Sequence, residues 1–333
     1  MKKILLICLC LLITTPSQAS VSPKLLSAVD KIYNAQFSSA KSIISSHISA
    51  NPQDPAGYIM RGIANEWNQL VNNRGKSLNG SIMGDFQKAK QLAESALNKD
   101  KNNIDHKAML GNAYMYIAKK QLDSGSKMKA GSTLKKAKNL MLEVVAKEPN
   151  NNNAYFALGL FNYFADNVPS GFKWLAKLMG FKGNASQGLS YIKKASSNPN
   201  LSQGDAKFML VYIYSQKKGA YKSALNYANQ LYRRYPNNHI FLFDVAEMQF
   251  RTKDLESART NFTKFFGICD KKPSKCSQKH KYLANYFMTW SYMDEQDFAN
   301  AKKYIDKAKQ LNTKKYKDRT ADLNKWTTIL ASK

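Results

Sequence analysis

The chain has 333 residues, with 51 lysine and arginine residues against 23 acidic ones and a formal net charge of +28. That balance favours anionic partners: acidic proteins, lipid head groups, lipopolysaccharide or cell-wall polymers. Such a length is long for one globular core but suits a solenoid, whose core grows repeat by repeat. Only seven of the basic residues are arginine. An AT-rich genome would enrich lysine and asparagine without any selection for binding. The same bias favours glutamate, however, and acids are scarce, so part of the basic surface needs another explanation.

The chain opens on Lys2 and Lys3, followed by the apolar run from Ile4 to Ile13. Ser17-Gln18-Ala19 then puts small residues at −3 and −1 of a cut before Ser20. This pattern predicts a secretory signal peptide over residues 1–19 and a single mature domain over 20–333. The run is short for a membrane anchor, which wants about 20 apolar residues. A lipoprotein signal fits less well, because bulky Ile7 directly precedes Cys8. No later segment is long and apolar enough to cross a membrane. The expected destination is a periplasm, with membrane association left open, and in that compartment nucleic acid is not an expected partner.

Apolar residues at helical spacing predict paired helices along the rest of the chain. Leu25, Ala28, Val29 and Ile32 form one stripe, Phe37, Ala40, Ile44 and Ile48 a second, and Asn51-Pro52 closes this first hairpin. Pro55, behind a capping Asp54, opens the second. Its close-approach residues are Gly62 and Ala89, and the Gly- and Asn-rich residues 72–84 read as its loop. In the third, Gly111 faces Ala137, Gly125 and Gly131 bracket the turn, and Pro149 ends the second helix. Lys119, Lys120, Lys127, Lys129, Lys135, Lys136 and Lys138 crowd its tip, either as a solvated end or as an anion-contacting edge.

The fourth hairpin has Tyr155, Leu158, Gly159 and Tyr163 on one helix and Gly188, Ile192 and Ala195 on the other. Between them lies an inserted segment, 167–187, in which Phe172, Trp174 and Phe181 alternate with lysines. It is short, amphipathic and basic. It could bury itself on the solenoid, cover the concave groove, dock a partner or touch a membrane interface. In the fifth hairpin, residues 203–236, Ala224, Ala228 and Leu231 share a stripe and Pro236 stops the helix. The sixth, 237–268, pairs Ala246 with Ala258, and the seventh, 281–311, pairs Thr289 with Ala301. A final helix over 315–331, with Leu323, Trp326 and Leu330 on one side, supplies the polar-backed cap that a repeat array needs.

Cys269 and Cys276 are the two cysteines beyond the signal, and in an exported chain they predict one disulfide. Their spacing excludes a CxxC redox pair. His280 makes a metal site conceivable, but no full ligand set is evident and no metal is expected.

The stretch YKSALNYANQLYRRYP, residues 221–236, resembles the second half of a tetratricopeptide repeat (TPR), whose period is about 34 residues. The resemblance implies an all-α, right-handed superhelical solenoid of about seven helical hairpins plus a C-terminal capping helix. In the common repeat the close-approach residues stand about 12 apart. Gly62 and Ala89 are 27 apart, and Gly111 and Ala137 are 26 apart, which implies insertions that lengthen the flanking helices. Between Ala154 and Ala246, ALGLFNYFADNVP, FKGNASQGLSYIKKAS and IYSQKKGAYKSALNYANQLYRRYPNNHIFLFDVA are similar to an exported bacterial TPR family. Lys182-Gly183-Asn184 departs from that family's often acidic turn. The likeness implies an envelope-associated repeat protein and contributes no reaction.

By TPR register, the first helix of each repeat lines the concave groove. That places Asn112, Met115 and Tyr116 there, then Phe156, Leu160 and Tyr163, then Phe243 and Phe250, and lastly Tyr286 and Trp290. Such a groove is aromatic and apolar and lacks a Lys/Asn clamp for a peptide carboxylate. It would suit an extended or helical apolar peptide, or the Phe172–Phe181 stretch bound in cis. Aromatic stripes at this spacing also serve as packing between helices.

His47, His106, His239 and His280 are scattered, and no HExxH, GxSxG, P-loop or dinucleotide fingerprint is present. No cofactor is expected. The sequence therefore points to a non-catalytic periplasmic scaffold or adaptor for another envelope protein. Binding of an anionic polymer or lipid through a lysine-rich face is the alternative. A hydrolytic enzyme is a third reading, which two carboxylates converging in a deep pocket would revive.

Overall fold

The computed structural model describes residues 22–167, 182–197, 199–217, 219–311 and 317–332. These hold fifteen helices and no strand. They are α1 (Pro23–Tyr33), α2 (Phe37–Ala50), α3 (Pro55–Val71), α4 (Asn79–Lys99), α5 (Ile104–Asp123), α6 (Lys127–Lys147), α7 (Asn152–Asp166) and α8 (Ala185–Ser197), followed by α9 (Gln203–Ser215), α10 (Tyr221–Arg234), α11 (His239–Arg251), α12 (Leu255–Lys271), α13 (Gln278–Asp294), α14 (Phe298–Gln310) and α15 (Lys317–Ala331). Each helix packs on the next. In addition α1, α3, α5 and α7 touch in series, as do α11, α13 and α15. This is the all-α superhelical solenoid of seven hairpins and a closing helix that the repeat pattern predicts. The predicted signal at 1–19 and Phe172, Trp174 and Phe181 of the predicted insertion lie outside the described residues.

Local chemistry explains where helices start. Asp54 caps α3 by accepting the Ala56 N–H at 2.9 Å, with Pro55 in the first turn. Asn103, Asn238 and Ser277 cap α5, α11 and α13 in the same way. Each cap satisfies an amide that the helix itself leaves without an acceptor. The turns inside the hairpins share a second feature. Ala35, Asn73, Gly125, Gly219, Lys253 and Gln296 all have positive φ, so in each of the six hairpins whose turn is among the described residues the chain reverses through a left-handed residue. The stripe of Ala224, Ala228 and Leu231 on α10 is wholly buried, as predicted.

The second and third hairpins correct the sequence reading in two places. Residues 72–84 are not all loop, because α4 begins at Asn79 and carries Gly80 and Gly84 in its first turns. Fully buried Ile82 and Phe86 anchor that end of the helix and outweigh the roughly 1 kcal/mol cost of each glycine. Gly131 likewise lies inside α6, leaving Gly125 alone at the turn. The expected contacts of Gly62 with Ala89 and of Gly111 with Ala137 are also displaced: the Phe86 ring covers Gly62, and the Met141 side chain covers Gly111. A ring or thioether fills the space that a missing Cβ leaves, so these longer hairpins need no backbone contact there. The fourth hairpin does make it: a Cβ on Gly159 would fall 3.0 Å from the Gly188 carbonyl oxygen and 2.9 Å from the Ile192 nitrogen.

The core falls into two clusters. One runs from Leu25 to Val245, the other from Leu242 to Leu323, and α11 contributes to both. The first cluster closes on itself. Arg234, at the end of α10, grips Asp30 of α1 through both carboxylate oxygens, at 2.9 and 3.2 Å. Tyr235 donates its hydroxyl to the same carboxylate at 2.9 Å, and Asn238 donates to the Tyr33 carbonyl at 2.9 Å. The Tyr33 ring lies against Gly204, Trp67 and Tyr235. The first hairpin is thus fastened to the fifth and sixth, and the repeats between them curl around a common inner space.

Candidate functional site

That inner space is a cleft of ≈ 910 Å³ lined by α3, α5, α6, α7 and α9, with the start of α13 at one side. Trp67, Met115, Phe156, Leu160, Phe161 and Phe208 make its walls apolar. Three further apolar side chains lining it stay open to solvent: Leu70 is 44% exposed, Leu122 49% and Phe164 41%. Each comes from the last turn of the first helix of a hairpin, α3, α5 and α7 in order. Met128, Leu142 and Tyr212 are also exposed elsewhere, but Leu70, Leu122 and Phe164 are the three that line one cleft together.

The floor is polar and tightly bonded. Asp205, on α9, accepts from Trp67 Nε1 at 3.0 Å and from the Tyr116 hydroxyl at 3.0 Å, one donor on each carboxylate oxygen. Its backbone N–H donates to the Tyr33 hydroxyl at 3.0 Å. Burial pushes the Asp205 carboxyl pKa up, while the Lys119 cation and the two donors pull it back. The same burial, with Asp205 alongside, holds the Tyr116 and Tyr33 hydroxyls well above their ordinary range. Beside Asp205 is Glu66, whose oxygens meet Lys119 at 2.7 Å and Lys120 at 3.7 Å. Burial works against the Lys119 cation, but Glu66, with Asp205 and Asp123 near, raises its pKa above the ordinary value. Lys120 is therefore withdrawn from the exposed lysine tip that the sequence predicts, whereas Lys119 stays exposed. Lys120 is buried against Glu66 in the cleft wall, and Lys119 pairs with the same carboxylate from a side chain that is 56% exposed. Lys136 and Lys138, further along the same hairpin, lie over the rings of Tyr114 and Phe161.

On the α13 side, Ser277 Oγ accepts the His280 backbone N–H at 3.1 Å and lies 3.0 Å from His280 Nδ1. Burial, then the nearby Lys279 and His239, lower the His280 pKa to about 4.

Of the residues that the repeat register places in the groove, Met115, Tyr116, Phe156 and Leu160 line this cleft together. Asn112 is buried, with its side-chain oxygen lacking a partner, and Tyr163 is half-buried; neither lines it. Phe243, Phe250 and Tyr286 are buried in the second core, and Trp290 packs on Phe250 and Tyr286 there. Cys269 and Cys276 are bonded, as predicted, with both residues buried.

The sequence reading missed Glu66, Trp67, Asp205 and Phe208. For the first two a signal existed. Met115 and Tyr116 stand four and five residues after Gly111, and Glu66 and Trp67 stand at the same offsets after Gly62. The fifth hairpin has no comparable glycine marker, so Asp205 had none.

Stacked helix pairs around an inner cleft define a TPR-type helical-repeat scaffold, a class built for protein–protein interaction. The Iml2/Tetratricopeptide repeat protein 39 family model matches residues 82–315, and the chain belongs to that family. Among solved structures, the chain is similar to the C-terminal part of a TPR repeat-containing protein from Cytophaga hutchinsonii, at 16% identity over 89% of this chain and 98% of that one, TM-score 0.43. It is also similar to a tetratricopeptide repeat protein from Parabacteroides merdae, at 16% identity over 92% and 99%, TM-score 0.35, and to yeast Tom70, at 16% identity over 86% and 61%, TM-score 0.44. No curated protein matches the chain.

Proposed function

We propose that the chain is exported on residues 1–19 and serves in a periplasm as a non-catalytic scaffold, seating an apolar segment of another cell-envelope protein in its cleft. The observation that carries this reading is the row of Leu70, Leu122 and Phe164, exposed on the first helices of three consecutive hairpins along an apolar wall. Large apolar groups left open together on a highly charged protein mark an interaction surface, and a repeat groove presents them at the spacing of a bound chain.

Two carboxylates, Glu66 and Asp205, do converge in the cleft, which is the arrangement an enzyme would need. Their commitments favour the scaffold instead. Both Asp205 oxygens already hold donors from neighbouring helices, and Glu66 is paired with lysines. A general acid or base must be within reach of a substrate proton, and these groups are occupied in joining helices. Binding of an anionic polymer or lipid on the outer face is a second reading, supported by the formal charge of +28. High salt separates the two, since many exposed charge contacts weaken steeply as ions are added.

The test is a photo-crosslinking residue placed at Leu122, compared with one at Leu142, which is exposed on α6 outside the cleft. A discrete protein adduct from position 122 alone, persisting through a high-salt wash, is expected. Equal adducts from both positions, or none from 122, would overturn the cleft reading. Export is checked by the N-terminal mass of the envelope-fraction protein, which should begin at Ser20.

A further inference from the structure

Resting on the cleft reading above, we infer that the partner segment is an apolar stretch flanked by carboxylates, and that Arg74 and Lys76 receive that acidic flank. Every acid in or beside the cleft is already engaged. Glu66 pairs with Lys119, Asp123 lies 3.4 Å from Lys120, and Asp205 holds the Trp67 indole and the Tyr116 hydroxyl. At the end of α7, Asp166 accepts the Ala185 N–H at 2.9 Å. A basic partner would have to compete with these cations and donors.

The cations at the edge are differently placed. The turn between α3 and α4 contributes Asn73 and Gly75 to the cleft lining. Arg74 stands between them and Lys76 directly after, both exposed. Among the described residues neither side chain has an ion pair or hydrogen bond. The turn also has a definite shape: Asn73 at φ 48° and Gly75 at φ 59° both take left-handed conformations, and the backbone N–H of Arg74 donates to the Gln69 carbonyl at 2.9 Å. Two unpaired cations are thus held beside Leu70, the first of the three exposed apolar residues. An occupant that covers Leu70, Leu122 and Phe164 brings the residues at one of its ends to Arg74 and Lys76. Carboxylates there would be attracted and lysines repelled, which sets both the orientation of the segment and its rate of encounter.

The experiment is selection from a random-peptide display library on the purified chain. Binding of an enriched peptide is then measured by fluorescence anisotropy to wild type, Arg74→Ala with Lys76→Ala, and Leu122→Glu. Enriched peptides should join an apolar run to Asp or Glu at one end. The double variant should bind about three- to tenfold more weakly at low salt, as two partly exposed charge contacts would give, and the gap should close at high salt. Leu122→Glu should abolish binding. Leu122 is exposed, so the fold should tolerate the change; Phe164→Glu repeats the test, and a thermal melt of each variant checks folding. Apolar peptides without acidic flanks, still lost on Leu122→Glu, would overturn the acidic-flank inference and leave the cleft reading standing. No enrichment, or peptides indifferent to Leu122→Glu and Phe164→Glu, would sink both.

Discussion

Trp67 Nε1 donates to Asp205 Oδ1 at 3.0 Å across 138 residues of sequence. The bond joins α3 to α9, and with Tyr116 and Tyr33 on the same residue it ties four of the seven hairpins to one aspartate. Asp205→Ala would leave the indole N–H and the Tyr116 hydroxyl without their acceptor. Each orphaned group costs about 1–3 kcal/mol, so a loss of about 2–5 kcal/mol is expected in urea unfolding. Asp205→Asn keeps one acceptor oxygen and should cost less. An Asp205→Ala variant as stable as wild type would show that the node is not what closes the first core.

His239 gives a prediction with a definite sign. Its ring is buried against Phe265, its Nε2 has no partner, and burial followed by the Lys275 charge lowers its pKa to about 4. The unfolded chain titrates near 6.5, so as pH falls from about 6.5 to 4 the unfolded state takes up a proton that the folded state refuses. The His239 contribution is therefore complete above about pH 6.5 and is lost as pH falls toward 4. His280 acts in the same direction. Asp205 and Asp244, whose carboxyl pKa values are raised by burial, act in the opposite one. Comparison with a variant removes those shared contributions. Relative to wild type, His239→Gln should gain up to about 3 kcal/mol between pH 7 and pH 4. A pH-independent difference between the two would refute the assignment.

The two kinds of sequence signal differ in how far they reach. A stripe such as Ala224, Ala228 and Leu231 is local, and it fixes which face of one helix is buried. Caps such as Asp54 are equally local. The hairpins were legible for that reason. The cleft depends on how far the solenoid curls, which is set by Tyr33, Trp67, Asp205 and Tyr235 meeting from hairpins far apart in the chain. No period in the sequence records that meeting. Register alone could find Met115 and Phe156 on an inner face. It could not separate them from Phe243 and Tyr286, which have the same pattern and are covered by neighbouring helices. Nor could counting lysines show that Lys120 is buried against Glu66 and that Lys119 pairs with the same carboxylate.

Ala35 occupies the left-handed position of the first hairpin's turn at φ 58°. For a residue with a Cβ this conformation costs roughly 1–2 kcal/mol, and glycine adopts it without that penalty. Glycine also gains entropy in the unfolded chain, which offsets part of the benefit. Ala35→Gly should therefore stabilise the protein by about 0.5–1 kcal/mol, read as a small rise in Tm. Gln296→Gly, at φ 60° in the seventh hairpin, should behave alike. A fall in Tm for both would mean that these turns are not strained.

Cys269 ends one helix of the second core, and Cys276 directly precedes Ser277, the cap of α13. The bond closes a short loop, and chain entropy gives it a stabilisation of about 2.5 kcal/mol. Cys269→Ser should lower stability by roughly that amount, and reductant should do the same to wild type. Both should leave peptide binding unchanged below the transition, because the apolar walls of the cleft belong to the first core. His280, three residues beyond the cap, makes the opposite outcome informative. If binding is lost while the helical content and the first core persist, the disulfide serves the cleft by holding α13 against it. Thermal melts and peptide anisotropy on the same samples separate a staple from a positioning bond.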